Sequence, residues 1–159
     1  SKKLSPKRRE EWFRFIQKHP HITYAIARVY PRTIERINIS RAANLAALRA
    51  FKRLTNRYQV SGIKCQVYLD GGLYLGNGNQ PPYAKTVVRG DEKFNSIKLA
   101  SIVAKVSRDW FMTRLAKKYP SYGFEIHKGY GTKAHFAAIR KYGPSEAHRL
   151  SFLKNLKFA

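Results

Sequence analysis

The chain has 159 residues, enough for one domain with its own core. Its 32 Lys and Arg outnumber 9 Asp and Glu, for a formal charge of +23, which points to a phosphate-rich partner. No apolar run reaches the ~20 residues of a membrane span, and the opening Ser1-Lys2-Lys3-Leu4-Ser5-Pro6 reads as no secretory signal. Neither end carries a basic amphipathic helix with a bulky aromatic face, which argues against a membrane surface as the anionic partner. Charge gives affinity without activity or specificity, and a ribosomal component would look the same on this count.

In chain order, Ser5 and Pro6 predict a helix start, Ser as N-cap and Pro at the first helical position. Trp12, Phe15 and Ile16 form its expected apolar face, and Pro20 closes it. Residues 22–30 are β-branched and aromatic enough for a strand, ended by Pro31. A second helix over about 40–58 carries Ala43, Ala46, Ala47, Ala50, Phe51 and Leu54 as its apolar stripe, and its alanines predict close packing on a sheet. A strand over 64–69, a loop over 71–83 and a strand over 85–88 follow. Cys65 is the sole cysteine and alternates with Val67 and Leu69, so it reads as a small core residue. With no internal disulfide available, a reducing, cytoplasmic setting is expected. A long helix begins near Ser96 and passes Met112. Ser96, Ala100 and Ala104 make a flat face on it, and Leu99, Ile102, Val103, Val106 and Trp110 a bulky one. After Pro120 comes a glycine-broken aromatic and basic loop, and Thr132 caps a last helix that stops at Gly143-Pro144. Strands alternating with helices predict an α/β layer fold.

The chemistry centres on scarce carboxylates. The chain has three aspartates, Asp70, Asp91 and Asp109. Asp70 and Asp91 each follow a strand-like run and adjoin glycine, so neighbouring strands could bring them together. Hydrolysis of a phosphodiester by two divalent ions about 4 Å apart needs such hard oxygen ligands. By pattern alone the signal is weak, and the pair reads more readily as strand-end turn formers. Asp109 lies four residues after Lys105 on the long helix, the spacing of an ion pair. Glu92 precedes that helix and suits its N-terminal end. The five histidines match no zinc spacing; a surface or phosphate-contacting role is their default, and His127 stands out because it lies in the aromatic and basic loop. There Lys128 and the amides around Gly129 and Gly131 can approach phosphates, and Tyr130 can stack on a sugar or base. The alternative for that loop is a hydrophobic plug with glycine turns.

Taken together, these segments resemble the type 2 ribonucleases H, the bacterial ribonuclease HII group. Ser1-Lys2-Lys3-Leu4-Ser5, Ile34-Glu35-Arg36-Ile37-Asn38-Ile39, Leu69-Asp70-Gly71, Gly90-Asp91 with the run Ala100 to Asp109, Tyr122-Gly123-Phe124, His127 to Thr132 and His148 to Phe152 stand in the family's order across almost the whole chain. The resemblance implies a ribonuclease H-like mixed sheet flanked by helices with a C-terminal helical extension. It implies a core over residues 1–118 and a substrate-contacting loop and helix over 119–159. It implies cleavage of the RNA strand of RNA–DNA hybrids and at single ribonucleotides in duplex DNA, with Mg²⁺ or Mn²⁺ held by four acids. Asp70 and Asp91 would be two catalytic metal ligands. Lys2 and Lys128 would contact substrate phosphate, and Tyr130 would pack on the sugar beside the cut. A monomer in the cytoplasm is expected.

The family's other two acids lie in an Asp-Glu-x-Gly-Arg-Gly segment that nothing here matches. The chain therefore reads as a fragment lacking the first strands, with an exposed sheet edge, poor metal binding and weak activity alone. Two other readings stand beside it. One is a non-catalytic hybrid- or duplex-binding module; the other is a basic structural RNA-binding protein, which has no reason to bring Asp70 and Asp91 together.

Overall fold

The computed structural model describes residues 4–57, 65–76, 80–154 and 156. Its helices are α1 (Pro6–Lys18), α2 (Pro31–Ile37), α3 (Ile39–Arg57), α4 (Gly90–Lys93), α5 (Asn95–Lys118), α6 (Phe124–His127) and α7 (Lys133–Tyr142), with strands β1 (Val67–Asp70) and β2 (Ala84–Val87). The expected α/β class is what is seen. The two strands run parallel, with Val67 opposite Ala84 and Asp70 opposite Val87. Parallel strands need a long connection rather than a tight hairpin, and residues 71–83 supply it.

Local chemistry explains several element ends. The Ser5 hydroxyl accepts the Arg8 amide at 3.3 Å ahead of Pro6. Thr132 caps α7 through the His135 amide at 3.2 Å, and Gly143 at φ 74° closes it. Pro31 is the first departure from expectation: it opens a helix rather than merely ending a strand. A proline suits the first helical turn, where its missing N–H has no partner to lose, and α2 follows directly.

The second departure is residues 22–30, expected as a strand. They form no ladder with any described strand. Ile22, Tyr24 and Ile26 still alternate inward, packing on Phe13, Ile16, Ile102, Val103 and Val106, and the Arg53 guanidinium donates to the Ile26 carbonyl. Side-chain composition favours extended backbone, but a ladder needs a partner edge, which composition does not supply.

The third concerns helix phase. On α1 the buried side chains are Phe13 and Ile16, whereas Trp12 and Phe15 are 41% and 49% exposed. Phe13 meets Trp110 edge-on at 5.0 Å, and Trp110 donates its indole N–H to Glu10 at 3.3 Å. Trp110, expected among the bulky inner residues of α5, is thus half-exposed at the rim. On α3, Ala47 and Phe51 rest on the small cluster of Leu69, Leu75 and Ala84. Ala43, Ala46 and Ala50 line a cleft of about 1740 Å³, together with Ala100 and Ala104 of α5 and with Asp70. The close alanine packing on a sheet therefore holds for only part of the stripe. Cys65 is partly buried and lines the same cleft.

A second core joins α5 to the C-terminal third: Met112, Ala116, Tyr122, Phe124, Ile139 and Leu153. Glu35 of α2 accepts both the amide and the hydroxyl of Ser151, at 3.1 and 2.6 Å, tying the first third of the chain to the last.

Candidate metal centre and nucleic-acid interface

Asp70 is the last residue of β1, and one hydrogen bond fixes where its carboxylate points. Its Oδ1 accepts the Gly90 amide at 2.8 Å. The Gly71 amide in turn donates to Val87 O at 3.1 Å, holding the strand ends level. Before Gly90 the chain reverses through Arg89, whose φ of 53° is left-handed and disfavoured for a residue with a Cβ. Asp91 and Glu92 then occupy the first turn of α4, where the local dipole favours negative charge. Phe94, just beyond α4, stacks on Tyr68 of β1 with centroids 4.3 Å apart. The structure thus brings Asp70 into direct contact with Gly90, the residue preceding Asp91.

A Cβ on Gly90 would sit 2.5 Å from Ile97 Cδ1, 3.3 Å from Asp70 Oδ1 and 3.5 Å from Val87 Cβ. The Ile97 methyl ends a flexible side chain and can turn aside, so the tight contact left is the one with the Asp70 carboxylate. Gly90→Ala is expected to lower stability by about 1 kcal/mol, the low end of overpacking costs, and to shift the Asp70 carboxylate against its amide. Chemical denaturation checks this, and a variant as stable as the parent would contradict it.

The donor set suits a hard divalent cation. Asp70 keeps a second oxygen outside the Gly90 bond, and Asp91 is the residue that follows Gly90. Among the described residues, however, no group of three or more His, Cys, Asp or Glu side chains assembles into a metal cage. Asp109 stands apart: its Oδ1 takes Lys105 Nζ at 3.0 Å and its Oδ2 faces Arg9 Nη2 at 3.7 Å. The expected helix ion pair is present, and Arg9 adds to it from α1.

The loop after α6 forms the other half of the candidate site. Tyr130 is 55% exposed. Lys105 Nζ lies 5.1 Å from its ring centroid and Arg108 Cζ 5.8 Å, within cation–π reach. Lys128 is left-handed at φ 53°; its carbonyl accepts Arg108 Nη2 at 3.1 Å and its ammonium donates to Thr113 at 2.8 Å. Gly129, at φ 77°, presses on Met112, whose Cε lies 3.0 Å from where a Cβ would be. A cleft of about 450 Å³ runs beside Tyr130, bordered by Arg9, Lys105, Asp109 and Lys128. Lys2 lies outside the described residues.

Three histidines underlie this loop, a feature that sequence spacing did not reveal. His127 and His135 stack with centroids 4.2 Å apart. His135 Nε2 faces His148 Nε2 at 3.0 Å, and His148 Nδ1 meets the amide and hydroxyl of Ser145, both at 2.9 Å. Burial is the main cause that lowers the pKa of His135 and of His148, with neighbouring histidines adding to it. The default surface role is therefore corrected: His127 and His135 are buried. His135 had one local cue, its place in the first turn after the Thr132 cap; His148 had none.

The sequence profile described as Ribonuclease HII matches residues 1–155. The chain is similar to the ribonuclease HII of Caldicellulosiruptor saccharolyticus, 46% identical over 98% of this chain and 71% of that protein. It is also similar to those of Alkaliphilus metalliredigens, at 42% over 98% and 74%, and Coxiella burnetii, at 43% over 96% and 70%. Fold and relatives together define a nucleic-acid hydrolase of the ribonuclease H type. The chain belongs to the ribonuclease HII family.

Proposed function

We propose that this chain serves metal-dependent hydrolysis of the RNA strand of RNA–DNA hybrids and of single ribonucleotides embedded in duplex DNA, in the cytoplasm and as a monomer. The observation that supports this reading is the Asp70–Gly90 hydrogen bond, which ties the end of β1 to the residue before Asp91. Asp70 and Asp91 would hold Mg²⁺ or Mn²⁺. The bound ion would activate water and stabilise the leaving oxygen. Tyr130, exposed between two cations, would pack on the sugar at the ribonucleotide, where the 2′-hydroxyl separates RNA from DNA. Lys128 and Lys2 would take phosphates. Residues 1–118 would form the cutting body and 119–159 the substrate-contacting part.

Among the described residues no three His, Cys, Asp or Glu side chains gather to hold a metal, which favours one second reading, a basic module that binds hybrid or duplex without cutting it. Single-turnover assays at excess protein separate the two. A duplex with one ribonucleotide, an RNA–DNA hybrid and an all-DNA duplex are incubated with Mn²⁺ or with EDTA. Incision at ribonucleotides alone, abolished by EDTA, is expected. Salt-sensitive binding with no incision under any metal would establish the binding module instead.

A further inference from the structure

The histidine cluster beneath the Tyr130 loop has a hydrogen-bond direction that its partners dictate. The Ser145 amide can only donate, and it points at His148 Nδ1 at 2.9 Å. His148 therefore carries its proton on Nε2, which faces His135 Nε2 at 3.0 Å. That nitrogen must accept, so the His135 proton sits on Nδ1 and goes to the Tyr130 carbonyl at 2.9 Å. The relay runs one way, from Ser145 through two rings to the backbone of Tyr130.

His127 completes the grip. Its Nε2 lies 2.6 Å from the Tyr122 carbonyl, which can only accept, so Nδ1 is free to receive the Gly129 amide at 3.2 Å. Its own carbonyl accepts the Tyr130 amide at 2.9 Å. The loop is thus held at the Gly129 amide and at both backbone groups of Tyr130. All three holds come from two neighbouring histidines, and the third histidine braces one of them.

We infer that His135 and His148 are positioning residues, which hold the Tyr130 loop in its substrate-reading shape through the Tyr130 carbonyl and do so only as neutral rings. This rests on Tyr130 as a substrate contact. A proton added to His135 Nε2 would aim two N–H groups at each other across 3.0 Å, and one added to His148 Nδ1 would face the Ser145 amide. Either breaks the relay. Burial already biases both rings toward the neutral form. Because their folded pKa values lie below the ordinary 6.5, support is complete above that pH and is lost as pH falls from 6.5 to the folded values.

Other groups that could titrate or carry charge nearby are accounted for. Tyr122 donates its hydroxyl to Gly143 O at 2.8 Å. Arg108 and Lys128 are engaged with the Lys128 carbonyl and Thr113. Glu146 faces Arg32 and Lys118, each at 3.8 Å, and Arg149 lies over Phe152. His127, stacked on His135, is the remaining titratable partner.

The test follows the backbone amide signals of Gly129 and Tyr130 by NMR from pH 8 to pH 5, beside the ring signals of His135 and His148. In parallel it measures the affinity ratio for a ribonucleotide-containing duplex over an all-DNA duplex. In the unaltered chain the amides are expected to move with the ring titrations, below pH 6.5, and the ratio to fall about tenfold. His135→Asn keeps a donor for the Tyr130 carbonyl and removes the ring that links it to His148, and should hold the ratio within twofold across the range. His148→Gln leaves the His135 ring to titrate alone, and should displace the fall along the pH axis, should the first variant fold poorly. Amides that ignore the ring titrations, or a folded variant whose ratio follows the parent curve, would overturn the inference. Tyr130→Ala at pH 8 separates the two levels. An unchanged ratio there defeats Tyr130 as a substrate contact, while the amide titration still decides whether the histidines position the loop.

Discussion

Asp70→Asn is expected to reduce single-turnover, Mn²⁺-dependent incision by at least about 10²-fold, roughly 2.7 kcal/mol of transition-state stabilisation, with little change in fold. The isosteric change isolates charge from geometry. Asn Oδ1 can still accept the Gly90 amide that Asp70 accepts at 2.8 Å, so β1 and the turn through Arg89 keep their relation. What disappears is the negative charge of the other oxygen, the one left to hold a cation. Mn²⁺ affinity should fall in the same variant, whereas salt-dependent duplex binding, which draws on the chain's +23 charge, should not. Gly90→Ala makes the converse change, keeping the charge and moving it. An Asp70→Asn protein that cuts within twofold of the parent would remove Asp70 from the metal site.

Phe124→Ala carries the largest expected cost in stability, about 3–5 kcal/mol. The ring is 2% exposed and sits among aromatic neighbours on several sides. It stacks on Tyr122 at 5.5 Å and lies 5.5 Å from both His135 and His148. Removing it leaves a cavity walled by flat rings that cannot collapse inward without giving up their own bonds. The loss should appear as a lower urea midpoint, and a decrease under about 1 kcal/mol would show that the cluster repacks. The same substitution should loosen the Tyr130 loop, because the histidines that grip it lean on this ring.

Legibility in the sequence tracked the range of the interaction. Ser5-Pro6, Thr132 and the Lys105–Asp109 pair act within one helical turn, and each was readable from neighbouring residues. Residues 22–30 carried the composition of a strand, but a ladder depends on a distant edge. Pro31 ended one expected element and, for the same reason of a missing N–H, began another. On α1 the choice between Phe13 and its neighbours Trp12 and Phe15 was a matter of phase, settled by where α5 lies. Within the candidate site, Asp70 and Asp91 were visible as rare residues at strand ends, while the Gly90 amide that couples them was not. His135 and His148 stand thirteen positions apart with Gly143-Pro144 between them, and no periodicity predicts that two such rings meet nitrogen to nitrogen.

Helix α5 touches both halves of the site. Near its start Ile97 packs on Gly90, beside Asp70; further along, Arg108 and Met112 brace Lys128 and Gly129. A continuous helix is stiff, so the carboxylate end and the tyrosine end share one beam and cannot drift independently. If Asp70 and Tyr130 both meet substrate, as proposed, a duplex must meet a spacing already set. Mismatch would then fall on the backbone of the nucleic acid, and a strand that bends easily to that span would gain an advantage unrelated to any base it carries.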